Sequence, residues 1–256
     1  MYLKGLAALG GACALVVGYA AAESEPAAQS RPALMRPVVV EMFLSQSCTQ
    51  SPPAAALLAR LAARPDVVAL SWHVDYWDSI PGRGVGPWKD PFAAPEFAAR
   101  QLAYNKRFKG RAAKLTPQTV IDGVMTLSGS KAAAVETTIM EAQFLEEMAR
   151  PAPPQITLTH RKNGAVRARI ENVGAPYDAL VVNFSPSIET AIKGGDNNGV
   201  VFREANVVRS VETLARAHSG AGDFAFDMPG DNLDCALLVQ ERNYGRIVAA
   251  RYCSDR

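Results

Sequence analysis

Short apolar runs and amphipathic stretches alternate in the first half of the chain. Residues 38–44 and 68–72 are nearly continuous apolar runs, which is typical of strands covered on both faces. A strand, a turn and a second strand are predicted over 116–126. Helices are predicted between and after these strands, over residues 53–63, 95–108 and 131–148. This order predicts an α/β domain over residues 37–150.

The pattern changes to a period of two beyond the prolines at positions 151, 153 and 154. Alternating runs at 156–160 and 165–170 flank Asn163-Gly164, a dipeptide typical of hairpin turns. Further strands are predicted over residues 178–184, 187–193, 222–228, 235–240 and 247–253. Residues 155–256 are therefore predicted to form a mostly antiparallel, sandwich-like β domain.

The N-terminus has the three parts of a signal peptide. Lys4 gives a positively charged N-terminal region, residues 6–19 form an apolar core, and Ala20-Ala21-Ala22 forms a small-residue cleavage site. We predict that residues 1–22 are removed on export and that residues 23–36 form a linker. The expected location is the periplasm or the extracellular space, with no membrane attachment after cleavage. The alternatives are a membrane anchor, for which the apolar run is short, and a lipoprotein modified at Cys13.

Composition and charge narrow the function classes. Apolar residues make up 48% of the 256 residues and charged residues 20%, which is the balance of a globular protein long enough for two domains. Basic side chains outnumber acidic ones by only 27 to 25. That balance lacks the electrostatic footprint of a nucleic-acid-binding protein. We predict no nucleic-acid partner, no cofactor and no metal site.

Export changes the interpretation of the cysteines, because disulfides persist in oxidising compartments. The predicted strands of the last hairpin flank Asn243-Tyr244-Gly245, a loop in which Gly is expected to be left-handed. This pairing sets Cys235 opposite Cys253, and directly opposed residues of an antiparallel ladder lie within disulfide range. We predict a Cys235–Cys253 bond and a free thiol at Cys48. A register slip of one residue is the alternative, and it would leave both thiols unbonded.

The candidate chemistry is concentrated at Cys48. It follows a predicted buried strand and precedes a predicted helix, whose unpaired N–H groups and positive dipole end stabilise a thiolate. In a Cys-x-x-Cys site the second cysteine breaks the mixed disulfide that the first one forms. Here that position is Ser51, which can hydrogen-bond a thiolate but cannot attack a disulfide. The site is therefore predicted to be monothiol.

Five motifs follow one another along the chain, at residues 41–48, 71–78, 88–92, 100–104 and 116–118. Together they resemble the exported thioredoxin-like proteins called the "domain of unknown function 1223" family, and residues 206–209 extend the match. The resemblance implies a thioredoxin-like fold for the first domain. It also implies a cis-proline at Thr116-Pro117 that faces the reactive cysteine. Members commonly carry Cys-x-x-Cys-Pro-Pro-Ala-Asp, from which this chain departs at Ser51 and Ala55.

A second group of polar residues follows the second predicted strand. His73 and Asp75 lie two residues apart, at the sheet edge where α/β proteins place ligand sites. They are candidates for an acid/base pair, and a hydrogen-bonded structural turn is the alternative. Lys89 and Asp90 are interpreted as a surface pair.

Two functional hypotheses remain open, and only one of them makes the protein an enzyme. In the first, Cys48 attacks a strained or exposed disulfide of a disulfide-bearing protein, or accepts an adduct of a small thiol, and a second thiol from solution releases it. In the second, the thioredoxin scaffold is a non-enzymatic binding module. It would present residues 48–51 and Pro117 to an extended peptide or a partner protein.

Overall fold

The computed structural model describes residues 36–80, 86–148 and 153–254. These residues fall within one compact unit. The predicted signal peptide and all of the predicted linker except Arg36 lie outside them. Within the described residues, no helix combines the length and the hydropathy that a membrane crossing needs.

The first half of the chain alternates strands and helices. Prolines in the first turn of two of these helices fix helical φ where an N–H would have no partner. The elements are β1 Val38–Leu44, α1 Ser51–Ala62, β2 Val67–His73, a 3-10 helix at Asp75–Trp77, α2 Pro95–Lys109, β3 Gln118–Ile121, β4 Met125–Ser128 and α3 Ala132–Glu147.

The second half contains strands only, within the described residues. They are β5 Gln155–His160, β6 Ala165–Glu171, β7 Tyr177–Ala191, β8 Val201–His218, β9 Gly222–Asp227, β10 Asp234–Glu241 and β11 Ile247–Tyr252.

Eight strands form one large sheet in the order β11-β10-β7-β8-β2-β1-β3-β4. β1 pairs with β2 in parallel, and β2 meets β8 in parallel at Ser71 and Val207. The other neighbouring strands are antiparallel. A second sheet of three antiparallel strands has the order β5-β6-β9. The chain thus has a mixed α/β fold with a large, mostly antiparallel sheet and a small sheet.

Both faces of β1 are buried, which explains its continuous apolar sequence. Val40 and Met42 pack in a cluster with residues of α1 and α3, whereas Val39 and Phe43 pack in a cluster with residues of α2. A third cluster joins the small sheet to β7, β10 and β11. The first half of the fold is therefore layered around β1, and the second half places two sheets face to face.

The segments 37–150 and 155–256, predicted as two domains, both contribute strands to the large sheet and residues to a shared buried cluster. β8 pairs with β7 over most of its length and also meets β2. Val208 and Leu238 belong to the same buried cluster as Val39. The change from mixed helices and strands to strands alone does occur between α3 and β5, where the sequence places prolines.

The structure differs from the predicted strands of the second half in two places. Residues 178–184 and 187–193 were predicted as separate strands, but β7 continues through Pro186. The proline is tolerated because β10 pairs with β7 only as far as Phe184, so that Pro186 lies where β7 has a neighbouring strand, β8, on one side alone. β8 was not predicted as a strand, because its second half, residues 209–218, contains few apolar residues.

The last hairpin carries the predicted disulfide between Cys235 and Cys253, whose Cα atoms are 5.1 Å apart. The predicted register holds from Ala236, which pairs with Tyr252, to Val239, which pairs with Ala249. Among the described cysteines, Cys48 is the free one.

The loop of this hairpin differs from the prediction. The register shifts after Val239, so that Gln240 pairs with Ile247. Asn243 and Tyr244 adopt the left-handed conformation, which was expected of Gly245. Gly245 is needed there for space, since a Cβ on it would lie 2.7 Å from the Cβ of Glu241.

Candidate functional site

Cys48 lies in the tight loop between β1 and α1. The Cys48 N–H donates to the carbonyl oxygen of Ser45 at 3.1 Å, and the Ser51 N–H donates to the carbonyl oxygen of Cys48 at 3.0 Å. Ser51 is the first residue of α1, so the thiol sits at the N-terminal end of this helix. The Cys48 side chain is almost fully covered, since the residue is 4% exposed.

The loop and the Thr116-Pro117 motif meet at the thiol. The peptide bond between Thr116 and Pro117 is cis. The Cys48 Sγ lies 3.6 Å from the carbonyl oxygen of Thr116, to which the thiol donates. The Thr116 hydroxyl is buried and has no hydrogen-bond partner among the described residues.

Ser51 holds the loop rather than the thiol. Its hydroxyl oxygen accepts a hydrogen bond from the Ser45 N–H at 3.3 Å, and the residue is fully buried. The position that carries the resolving cysteine in a dithiol site is therefore occupied here by a side chain that fixes the loop backbone.

Tyr76 and Gln101 are bonded to the segment that leads to Thr116. The Tyr76 hydroxyl donates to Gln101 Oε1 at 3.1 Å, and Gln101 Nε2 donates to the carbonyl oxygen of Leu115 at 2.6 Å. Burial raises the pKa of the Tyr76 phenol well above its usual range. The pair therefore braces the backbone next to the residue whose carbonyl oxygen accepts from the thiol.

His73 lies at the end of β2 and is completely buried between two carboxylates. Its Nδ1 is 2.7 Å from Asp90 Oδ2, and its Nε2 is 2.8 Å from Glu204 Oε1. The second contact is close in distance but is not aligned as a hydrogen bond. Burial disfavours the charged imidazole, but the negative charges of Glu204 and Asp90 outweigh it and raise the pKa of His73 to about 10. The ring is therefore a buried cation at neutral pH.

Asp90 is the matching anion of this cluster. Burial would raise the pKa of its carboxyl, but the charge of His73 and the hydrogen bonds from His73 and from the N–H groups of Gln46 and Phe92 hold it below its usual range.

The His73 cluster is bonded directly to the Cys48 loop. The Gln46 N–H donates to Asp90 Oδ2 at 2.9 Å, and Gln46 Nε2 donates to Glu204 Oε2 at 2.9 Å. The Gln46 carbonyl oxygen accepts a hydrogen bond from Asn197 Nδ2 at 2.7 Å, and the same amide donates to the carbonyl oxygen of Cys48 at 3.1 Å. Segments far apart in the sequence therefore fix the backbone that carries the thiol.

The structure does not bring His73 and Asp75 together as the predicted acid/base pair. Asp75 begins the 3-10 helix and is half-buried, whereas the partners of His73 are Asp90 and Glu204. The interpretation of Asp90 as a surface residue was wrong, because it is 2% exposed. The signal that could have found it is its place in the motif 88–92. Nothing in the sequence marked Glu204, which belongs to the strand that was not predicted.

In the part of the chain that the structure describes, no group of three or more His, Cys, Asp and Glu residues is arranged to hold a metal ion. Both ring nitrogens of His73 already face carboxylate oxygens. The cluster is therefore an ion network that holds the loop.

A second buried network explains other residues of the predicted motifs. Arg100 Nε donates to Glu41 Oε1 at 2.7 Å, and the Tyr104 hydroxyl donates to Glu41 Oε2 at 2.5 Å. Gln240 of β10 accepts a hydrogen bond from Arg100 at 3.0 Å. Its amide donates in turn to Tyr104 Oη at 2.8 Å. This network links β1, α2 and β10, and its role is to hold the fold together.

The family model described as "Protein of unknown function (DUF1223)" matches residues 39–240. The chain belongs to this family. The predicted resemblance to DUF1223 is thereby confirmed, and the DUF1223 match includes Cys48, Thr116, His73, Asp90 and Glu204.

A solved structure has the same fold as this DUF1223 chain. It is the crystal structure of protein AGR_C_4864 from Agrobacterium tumefaciens, which is 24% identical in sequence and superposes with a TM-score of 0.69. The alignment covers 86% of this chain and 95% of that one. The comparison with curated proteins finds no match.

Proposed function

We propose that this protein is an exported, thioredoxin-like protein that performs thiol–disulfide exchange through Cys48. The observation that carries the proposal is the contact between Cys48 Sγ and the Thr116 carbonyl oxygen, next to a cis-proline and at the N-terminal end of α1. The strand order β2-β1-β3-β4, with α1 and α3 packed on one face of β1 and α2 on the other, supports the thioredoxin-like assignment.

The exchange needs two partners because the site has one thiol. The Cys48 thiolate attacks one sulfur of a partner's disulfide, which forms a mixed disulfide with Cys48 and releases the other sulfur as a thiolate. Ser51 cannot attack this intermediate. A second thiolate from solution therefore attacks the partner's sulfur, and Cys48 leaves as a thiolate. The net reaction replaces one half of the partner's disulfide and leaves the oxidation state of Cys48 unchanged.

Two observations support export. Residues 1–22 have the sequence of a signal peptide. The Cys235–Cys253 bond is of the kind that persists in oxidising compartments.

A non-enzymatic binding module is the second candidate, and the burial of Cys48 favours it. The thiol is 4% exposed, and its loop is tied down by Asn197 and Gln46. A scaffold held this firmly is suited to presenting residues 48–51 and Pro117 to an extended peptide, without any covalent step.

Intact-mass analysis with glutathione disulfide distinguishes the two candidates. The first predicts that one glutathione is added at Cys48 and that reduced glutathione then removes it, while Cys48→Ser gains no mass. A short unstructured peptide with a single cysteine, treated in the same way, is the reference for the rate of the reaction. If the folded protein gains no adduct in the time that the peptide takes to react completely, thiol exchange is excluded and the binding module is the better account.

A further inference from the structure

The surface next to the Cys48 site carries a cluster of positive charge. Between Glu96 and Asp122 the chain contains no acidic residue, yet five cations lie within residues 106–114, here called the basic segment. All five are exposed. None of them forms an ion pair with a described residue. They are Lys106, Arg107, Lys109, Arg111 and Lys114.

The basic segment leads directly to the thiol. Lys114 stands two residues before Thr116, whose carbonyl oxygen accepts from Cys48 Sγ. The Lys114 Nζ lies 5.1 Å from the centre of the Tyr76 ring. Because Tyr76 is bonded through Gln101 to the backbone at Leu115, next to Thr116, the last cation of the segment lies beside the group that braces the Cys48 site.

The helix dipole explains the positions of only some of these five cations. Lys106, Arg107 and Lys109 lie in the last turn of α2, where cations are favourable. Helix α2 ends at Lys109, and the left-handed conformation of Gly110 closes it. Arg111 and Lys114 lie beyond that end, and the dipole effect falls off within the last turn. Helix stability therefore gives no reason for these two cations.

We propose that the partner of Cys48 is a polypeptide whose chain is acidic next to its reacting sulfur, an inference that rests on the proposed function. A small anionic thiol engages one or two cations. Five cations spread from the end of α2 to Lys114 match a run of carboxylates on an extended chain. Charge complementarity of this kind raises association rates by about 10-fold to 1,000-fold at low ionic strength. Salt weakens the effect, because charges more than about 10 Å apart are screened at 0.1 M.

The test uses peptides that carry one cysteine as a mixed disulfide with thionitrobenzoate. Cys48 attacks the peptide sulfur, the Cys48–peptide disulfide forms, and coloured thionitrobenzoate leaves as a thiolate. Three peptides of equal length flank the cysteine with Asp and Glu, with Ser and Gln, or with Lys and Arg. The mixed disulfide of glutathione with thionitrobenzoate is the fourth substrate. The acidic peptide is expected to react at least tenfold faster than the neutral one at low salt, and the rates are expected to converge in 1 M salt.

Charge-reversal variants show which cations cause the preference for the acidic peptide. The double replacement Arg111→Glu and Lys114→Glu is expected to abolish or reverse the preference. The double replacement Arg161→Glu and Lys162→Glu makes the same change of net charge at two exposed cations in the turn between β5 and β6, and this matched control is expected to keep the preference. Equal loss of preference in the control would show that net charge and not the basic segment is responsible, which would overturn the inference.

The remaining outcomes separate the two proposals. Equal rates for the three peptides on the native protein would overturn the acidic partner while leaving thiol exchange in place. A rate for the glutathione substrate that matches or exceeds that of the acidic peptide would assign a small thiol instead. If Cys48 reacts with no substrate under conditions where free cysteine reacts with all of them, the proposed function fails, and this inference fails with it.

Discussion

Replacing His73 with Gln is expected to destabilise the protein more than replacing Glu204 with Gln. The first change leaves the buried carboxylates of Asp90 and Glu204 without a cation between them. The second change leaves the His73–Asp90 ion pair, whose two charges cancel. The difference follows from the position of the imidazole at the centre of the cluster.

The magnitude can be worked out from the contact distances. Two unit charges 2.8 Å apart attract each other by about 6 kcal/mol at an effective dielectric constant of about 20. Desolvation offsets part of this attraction, and removing one partner of a buried pair costs about 3–5 kcal/mol in measured cases. We expect a loss of this size for His73→Gln. For Glu204→Gln we expect a smaller loss, about 1.5–3 kcal/mol, because the hydrogen bond from Gln46 Nε2 loses its charged acceptor.

Urea unfolding at pH 7 measures both losses. With a slope of about 2–3 kcal/mol per M urea, His73→Gln is expected to lower the midpoint by about 1–2 M. The double variant His73→Gln with Glu204→Gln keeps the test decisive if the single variant folds poorly. It is expected to be more stable than His73→Gln alone, since one of the two uncompensated carboxylates is gone. A cost below about 1 kcal/mol for His73→Gln, or a larger cost for Glu204→Gln, would refute the reasoning.

Three further predictions concern pH, the disulfide and the missing thiol. The unfolding free energy is expected to fall as the pH rises from 6.5 to about 10, since folded His73 keeps the proton that the unfolded chain releases near 6.5. Urea titrations across this pH range measure the fall, and an unfolding free energy that does not change with pH would contradict it. Replacing Cys235 and Cys253 with Ser is expected to cost about 3 kcal/mol in the same assay, the chain-entropy value for a separation of 18 residues; an unchanged midpoint would be the contrary result. Ser51→Cys is expected to form a reversible disulfide with Cys48 and to reduce insulin faster than the wild type, and a disulfide without that gain would favour the binding module.

The parts of the fold predicted from sequence are those set by local patterns. The apolar run of β1 predicts a strand covered on both faces, and Val40 and Phe43 do pack into different clusters. The hairpin of β10 and β11 follows from two strand-like runs around a short loop, and it places Cys235 and Cys253 together as predicted. The bulge after Val239 was not predicted, and beside it Gln240 donates to Tyr104, which lies 136 residues away in the sequence and beyond the reach of a local pattern.

The partners of the candidate site come from tertiary structure, and this is why part of it was missed. Cys48 and Thr116 were identified because each belongs to a motif with a known kind of chemistry. The partners of His73 lie on the segment before α2 and near the start of β8. Glu204 follows an alternating pattern in which a charged residue would ordinarily face water. In the structure this face is covered, since Phe202, two residues before Glu204, packs in a buried cluster with residues of α1, and Glu204 itself faces His73.

The rate of exchange at Cys48 in the native protein tests the central proposal most directly. The measurement compares the second-order rate constant with an aromatic disulfide in native protein and in protein unfolded by urea at the same pH, with Cys48→Ser as the blank. A thiol positioned for exchange at the N-terminus of α1 is predicted to react faster in the native protein than in the unfolded chain. A native rate more than tenfold below the unfolded rate would contradict the proposal, because it would show a thiol sealed in the core that reacts only when the protein opens.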